Sequence, residues 1–137
     1  MMNNNISLTI TGDPIAKQRS RRGAHGNWYN PQEELMQKTM RDIKNQLPKG
    51  FNVIEKGNPV RCELICFFSF PKKVSAKIKT KEKDDIICLN KKDIDNILKY
   101  FFDCMNKIVW YDDNQVYSTN VEKYYSMNPR TEINISW

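Results

Sequence analysis

Residues 60–70 read VRCELICFFSF, an almost continuously apolar stretch. In an extended conformation, one face holds the alternate residues from Cys62 to Phe70 and the other holds Ile65 and Phe67. A strand that is apolar on both faces belongs in the centre of a sheet. This stretch therefore predicts the central strand of the fold.

Hydrophobic periodicity on either side of this strand predicts the remaining elements. In chain order they are a strand at 6–10, a helix at 31–47, the strand at 60–70, a helix at 93–106, and strands at 116–125 and 131–137. The predicted apolar stripe of the helix at 93–106 consists of Ile94, Ile97, Leu98, Phe101, Phe102 and Met105. The last two strands are expected to form a hairpin. The order β-α-β-α-β-β predicts one α+β domain over residues 1–137, a small mixed β-sheet with helices packed on it.

Two segments lack such periodicity. Residues 15–30 contain glycines and a basic cluster, and we expect an irregular segment there. Residues 71–92 are rich in lysine and predict a long loop, with a short helix around 74–83.

Composition indicates a globular chain, since 39% of its 137 residues are hydrophobic and 28% are charged. No apolar run is long enough for a membrane span, and residues 1–5 do not begin a signal peptide, so a cytoplasmic protein is expected. Zinc is not expected, because the chain has no C-x-x-C motif and its single histidine, His25, is remote. The four cysteines are therefore predicted to be buried free thiols.

An excess of 22 Lys and Arg over 16 Asp and Glu gives a net charge of +6 and points to a polyanionic partner. The positive charge is clustered, and we interpret the clusters as phosphate contacts. Residues proposed on this basis are Lys17, Arg19, Arg21, Arg22, Lys72, Lys73 and Lys92. The alternative for the lysine run at 72–83 is a solvated loop.

An acidic motif, KDIDNILK, occupies residues 92–99. Asp93 and Asp95 share a side only if the first of them is still extended at the entry to the helix. Two such carboxylates repel each other, and a bound Mg²⁺ would remove that cost. The alternative is that Asp93 caps the helix and Asp95 is an ordinary first-turn acid.

Lys99 follows Asp95 by one helical turn and can either serve the site or form an ordinary ion pair. Asp112 and Asp113 follow after a short turn and could supply a third carboxylate. Metal ions held by carboxylates activate water and stabilise charge in phosphodiester hydrolysis. The sequence has no set of serine, cysteine and histidine residues that would support covalent catalysis. It also lacks the phosphate-binding P-loop and G-x-G-x-x-G motifs, so no nucleotide cofactor is expected.

The motifs D-x-D-N-x-x-K at 93–99 and W-x-D-D-x-Q-V at 110–116, with the basic opening PIAKQRSR at 14–21, resemble the RusA family of Holliday-junction resolvases. The resemblance implies a homodimer, encoded by a bacterium or its prophage, that cuts four-way DNA junctions symmetrically with Mg²⁺ or Mn²⁺. It assigns metal binding to Asp93, Asp95 and Asp113. The neighbouring Asp112 is the alternative to Asp113 as the third metal ligand.

The resemblance further assigns the role of catalytic lysine to Lys99. It assigns DNA contact to Lys17, Arg19 and Arg21. Ser20 stands where proline is expected, and residues 106–109 lack the glycine often found between the helix and Trp110. Two other functions remain open: a less selective flap or branched-DNA nuclease, and a non-catalytic branched-DNA-binding protein.

Overall fold

The computed structural model describes residues 2–73 and 84–137. Seven strands, two α-helices and one 3₁₀ helix are present in these residues. In chain order they are β1 Asn5–Thr11, β2 Arg21–Arg22, β3 Trp28–Tyr29, α1 Glu33–Gln46, β4 Val60–Phe68, β5 Ile86–Ile87, α2 Ile94–Met105, the 3₁₀ helix Asp113–Gln115, β6 Val116–Tyr125 and β7 Arg130–Ser136.

Five strands form one mixed sheet in the order β1-β7-β4-β6-β5. Strand β4 lies in the middle, parallel to β6 and antiparallel to β7. The prediction of a central strand around residues 60–70 is confirmed, as is the α+β class with a mixed sheet.

The predicted hairpin of the last two long strands is wrong. Strand β6 pairs with β4 and β5, whereas β7 pairs with β4 and β1. The two strands lie on opposite sides of β4, so the turn at residues 126–129 carries the chain from one side of the central strand to the other. Alternation of side chains defines a strand but not its neighbours, which is why the pattern did not reveal this crossover.

Both helices pack on one face of the sheet and enclose a single core. The helix α1 ends at Gln46, and Leu47 is already extended before Pro48, as expected for a residue that precedes proline. Between the helices, the hydroxyls of Thr39 and Tyr100 lie 2.9 Å apart in the buried layer. The four cysteines are buried free thiols, as predicted.

The buried face of α2 differs slightly from the predicted apolar stripe. Ile97, Phe101 and Met105 are buried as expected. Ile94 is 50% exposed, and the core takes Tyr100 and Cys104 instead. The first turn of α2 therefore lies at the rim of the core, where its side chains are accessible.

Strand β4 ends at Phe68, two residues earlier than predicted. Beyond it, the Ser69 N–H donates to the carboxylate of Asp13 at 2.7 Å and does not continue the sheet. The ring of Phe70 stacks instead on Tyr125, with ring centroids 5.5 Å apart.

The segment 15–30, predicted to be irregular, contains the short antiparallel ribbon of β2 and β3. The predicted short helix at 74–83 lies outside the described residues. Among residues 2–73 and 84–137, no helix combines the length and apolar character needed to cross a membrane.

Candidate active site

The acidic motif lies at the start of α2. Asp93 is the N-cap residue and is extended, with φ −72° and ψ 140°, while Asp95 lies in the first helical turn. This is the conformation that the motif required. Although Asp93 occupies the capping position, its side chain makes no capping hydrogen bond. The capping alternative therefore gives no account of this carboxylate, which is exposed together with that of Asp95.

A cleft of about 520 Å³ opens beside these two acids, between α2 and the segment that follows β5. Lys123 of β6 lines it, and its Nζ donates to the backbone oxygens of Asn90, at 3.1 Å, and Lys92, at 2.5 Å. Lys123 therefore holds the chain that leads into Asp93. Nothing in the sequence distinguished it from the other residues on the same face of β6.

Asp113 is positioned by the W-x-D-D-x-Q motif. The fully buried Trp110 donates from Nε1 to Asp113 Oδ1 at 2.7 Å. The pKa of the Asp113 carboxyl is raised above its ordinary value, chiefly by burial. The hydrogen bond from Trp110 lowers this pKa, whereas the negative charges of Asp103 and Asp112 raise it further. The Asp113 carboxylate thus lies half-buried within the electrostatic reach of Asp103.

Asp112 has a different role. Its side chain caps the 3₁₀ helix by accepting from the Asn114 N–H, and its own N–H donates to Gln115 Oε1 at 2.8 Å. Gln115 in turn donates from Nε2 to the backbone oxygens of Glu55 and Asn58. Because Asp112 is engaged in this reciprocal capping box, Asp113 is the acid of the pair that is free of a capping role.

Lys17 links the basic segment to α2. Its backbone N–H donates to the Asn96 oxygen at 2.9 Å, and its Nζ lies 3.5 Å from Asp103 Oδ2. Its side chain is only 19% exposed. The other proposed DNA-contacting residues are exposed to solvent: Arg19, Arg21, Arg22, Lys72, Lys73 and Lys92.

Lys99 is exposed on α2, one turn after Asp95. Across residues 2–73 and 84–137, no ion pair within 4.0 Å joins it to Asp95 or Asp103. An ordinary ion-pair role therefore does not account for this lysine.

The predicted site residues do not all meet in the single chain. Asp93 and Asp95 lie together at the start of α2, whereas Asp113 is near Asp103, which is about 12 Å further along the helix axis than Asp95. Among the described residues, no three Asp, Glu, His or Cys side chains converge as a ligand set.

The chemistry of the first pair fits a divalent cation. Mg²⁺ prefers oxygen ligands and is typically held by one or two carboxylates, with water and substrate phosphate completing its coordination. The carboxylates of Asp93 and Asp95 are both exposed, and that of Asp93 makes no capping hydrogen bond, so the pair matches that requirement. A third protein ligand from Asp113 is not part of the same cluster.

Comparisons with known proteins agree with these motifs. A family model described as Endodeoxyribonuclease RusA matches residues 11–136. The chain is also 30% identical over 136 residues to a protein of Bacillus subtilis (strain 168) named Uncharacterized protein YqaN, covering 95% of this chain and 94% of that protein. The family match spans the basic opening, the acidic motif and the W-x-D-D-x-Q motif, and the chain therefore belongs to the RusA family of Holliday-junction endodeoxyribonucleases.

Proposed function

We propose that this protein is a Mg²⁺-dependent endodeoxyribonuclease that binds four-way DNA junctions and resolves them by symmetric cuts, with Mn²⁺ able to replace Mg²⁺. The observation that carries the proposal is the pair Asp93 and Asp95 at the start of α2 in a basic chain. Both side chains are exposed, and that of Asp93 makes no capping hydrogen bond. Membership of an endodeoxyribonuclease family supports it.

Asp93 and Asp95 would hold the metal ion, which when bound supplies an activated water and charge stabilisation at the scissile phosphate. Lys99 is placed one turn further along the exposed side of α2. Its ammonium group would stabilise negative charge that develops on the phosphate. Lys123 acts on this site indirectly, because it fixes the backbone that delivers Asp93.

Asp113 is proposed as the third acid of the site. Its carboxylate is held by Trp110 and lies within the electrostatic reach of Asp103 on α2. We propose that Asp113 binds the metal ion together with the first pair, and weaker Mg²⁺ binding by Asp113→Asn than by wild type is the expected result.

DNA binding is assigned to the exposed cations. Phosphate contacts give affinity and orientation, and the resulting binding weakens as salt is raised. A homodimer would present two identical sites related by a two-fold axis, which suits symmetric cutting of a four-way junction.

A panel of labelled substrates tests the proposed activity. Wild-type protein is incubated with a four-way junction, a flap and a linear duplex of matched sequence, with Mg²⁺ or with a chelator. Paired, symmetric cuts confined to the junction and dependent on Mg²⁺ are the expected result. Equal cutting of the flap and junction would replace the resolvase with a less selective nuclease, and tight junction binding without cutting would leave a non-catalytic binding protein.

A further inference from the structure

The ribbon of β2 and β3 presents arginine and aromatic side chains in pairs. Arg21 lies opposite Tyr29, and Arg22 lies opposite Trp28. Successive residues of a strand point to opposite faces, so each face of the ribbon carries one arginine and one aromatic ring. The turn between the strands is closed by a 2.7 Å hydrogen bond from the Gly23 N–H to the Asn27 oxygen.

These aromatic rings have no role in the core. Trp28 is 70% exposed and Tyr29 is 48% exposed, and neither belongs to the hydrophobic cluster under the main sheet. A two-stranded ribbon of this size buries too little surface to be stable by itself. The exposed rings are therefore available for a partner.

The base of the ribbon is held by one buried side chain. Gln32 is 6% exposed; its Nε2 donates to the Ala16 oxygen at 2.9 Å, and its Oε1 accepts from the Gln18 N–H at 2.8 Å. On the other side of the stem, Asn30 Oδ1 accepts from the Gln32 N–H at 2.9 Å. Both ends of the segment are thus tied to the same residue, and the ribbon projects from a fixed base.

The stem of the ribbon also touches α2 beside the acidic pair. The Lys17 N–H donates to the oxygen of Asn96, the residue after Asp95. The segment that leads into the ribbon is therefore attached to the helix that carries Asp93 and Asp95.

The chemistry of the segment indicates the class of partner. Residues 14–32 contain four cationic side chains and no carboxylate. Cationic side chains interleaved with exposed aromatic rings are the combination that binds unpaired nucleic acid, in which base faces are open for stacking. An apolar protein surface would not need this excess of positive charge.

We infer that the β2–β3 ribbon is a stacking site for an unpaired DNA base, with Trp28 against the base and Arg22, which lies on the same face, on a flanking phosphate. This inference rests on the proposed function, because it assumes a DNA substrate. It adds that the protein discriminates unpaired from paired positions of its DNA.

The test uses the fluorescence of 2-aminopurine, which is quenched when the base stacks. The probe is placed at an unpaired position of a gapped duplex, and also within an intact duplex, in a chelator so that cutting does not interfere. Trp28→Ala is compared with wild type, with the conservative Trp28→Phe, and with Tyr117→Ala, a control aromatic that is 60% exposed on β6. Thermal unfolding verifies that each variant folds.

Trp28→Ala is expected to bind the gapped DNA about tenfold more weakly and to lose the quench. Trp28→Phe keeps most of both. Affinity for the intact duplex and the salt dependence of binding stay as in wild type, because stacking releases no counterions. Tyr117→Ala behaves as wild type on every substrate.

Equal behaviour of Trp28→Ala and Tyr117→Ala, or equal losses on gapped and intact DNA, would overturn the inference. So would dissociation of a dimer by Trp28→Ala without a change in quench, which would make the ribbon a contact between copies. If wild type cuts junctions but Trp28→Ala changes nothing, only this inference fails; if wild type quenches the probe through Trp28 but cuts nothing, only the proposed function fails.

Discussion

The indole Nε1 of Trp110 donates a 2.7 Å hydrogen bond to Asp113 Oδ1, so a fully buried ring positions a half-buried acid. The neighbouring acid, Asp112, is engaged in the capping box of the 3₁₀ helix. Two adjacent aspartates in one motif thus have separate roles, one in folding and one proposed for catalysis.

Substitution of the two aspartates should separate these roles. Asp113→Asn keeps an acceptor for Trp110 but removes the charge, and we expect junction cutting to fall about 100-fold with little loss of stability. Asp112→Ala removes the cap, and we expect the free energy of unfolding to fall by about 1 kcal/mol while cutting is retained. Cutting rates and urea unfolding of both variants test this. Loss of cutting in Asp112→Ala alone would reverse the assignment.

Lys107, the residue after the C-cap Asn106 of α2, is in the left-handed region, with φ 68°. It belongs to the linker 106–109, which lacks the glycine often found there. A side chain in the left-handed conformation costs about 1–2 kcal/mol. Its ammonium group also lies 4.0 Å from the centre of the Tyr111 ring. Lys107→Gly and Lys107→Ala both lose that contact. The difference in stability between the two variants therefore measures the cost of the backbone conformation alone.

We expect the free energy of unfolding of Lys107→Gly to exceed that of Lys107→Ala by about 1 kcal/mol. Urea unfolding at neutral pH measures the difference. A Lys107→Ala protein as stable as Lys107→Gly would show that the backbone at this position is not strained.

Alkaline pH should destabilise the fold through its buried thiols. Burial raises the pKa of Cys62, Cys66 and Cys104 to about 12 from an ordinary value of 9.0. Because the folded pKa is the higher, the stabilisation is fully present below pH 9 and is lost as the pH rises from 9 towards 12. We expect a loss of about 1 kcal/mol for each thiol between pH 8 and pH 10.

Urea unfolding at these two pH values tests the effect. Cys62→Ala is the matched control. Its loss of unfolding free energy between pH 8 and pH 10 should be smaller than that of wild type by the contribution of one thiol, about 1 kcal/mol. The same loss in Cys62→Ala and wild type would exclude this thiol as a source of the pH dependence.

Arg19 and Lys17 should differ in their effect on DNA binding, although they are two residues apart. Arg19 is exposed, whereas Lys17 is 19% exposed and paired with Asp103. For Arg19→Ala we expect weaker junction binding and a salt dependence reduced by about one counterion. Lys17→Ala should leave the salt dependence unchanged. Titrations at several salt concentrations decide the matter, and a reduced slope for Lys17→Ala would place its ammonium group on DNA.

Local features of the structure could be predicted from the sequence to the extent that they depend on side-chain period and on capping geometry. The apolar residues of 60–70 predicted the central strand, and the spacing of Ile97, Phe101 and Met105 predicted α2 with Asp93 still extended before it. These features depend on neighbours in sequence. A local pattern is sufficient to define them.

Features that depend on distant partners could not be predicted in this way. Strand β7 lies beside β4 and not β6, and an alternating pattern carries no information about which strand is adjacent. Lys123 lies beside the acidic motif because of the register in which β6 pairs with β5. The position of the ribbon at Trp28 depends on the hydrogen bonds of the buried Gln32. Similarly, the different roles of Asp112 and Asp113 are decided by Gln115 and Trp110, whose placement requires the folded core.

The most direct test of the central claim is the cutting of a labelled four-way junction by Asp93→Asn in Mg²⁺, beside wild type and Asp42→Asn. Asp42 lies on α1, so the control variant loses the same charge away from the acidic pair. We expect Asp93→Asn to bind the junction as tightly as wild type but not to cut it, while Asp42→Asn cuts normally. Cutting by Asp93→Asn at the rate of Asp42→Asn would contradict the account.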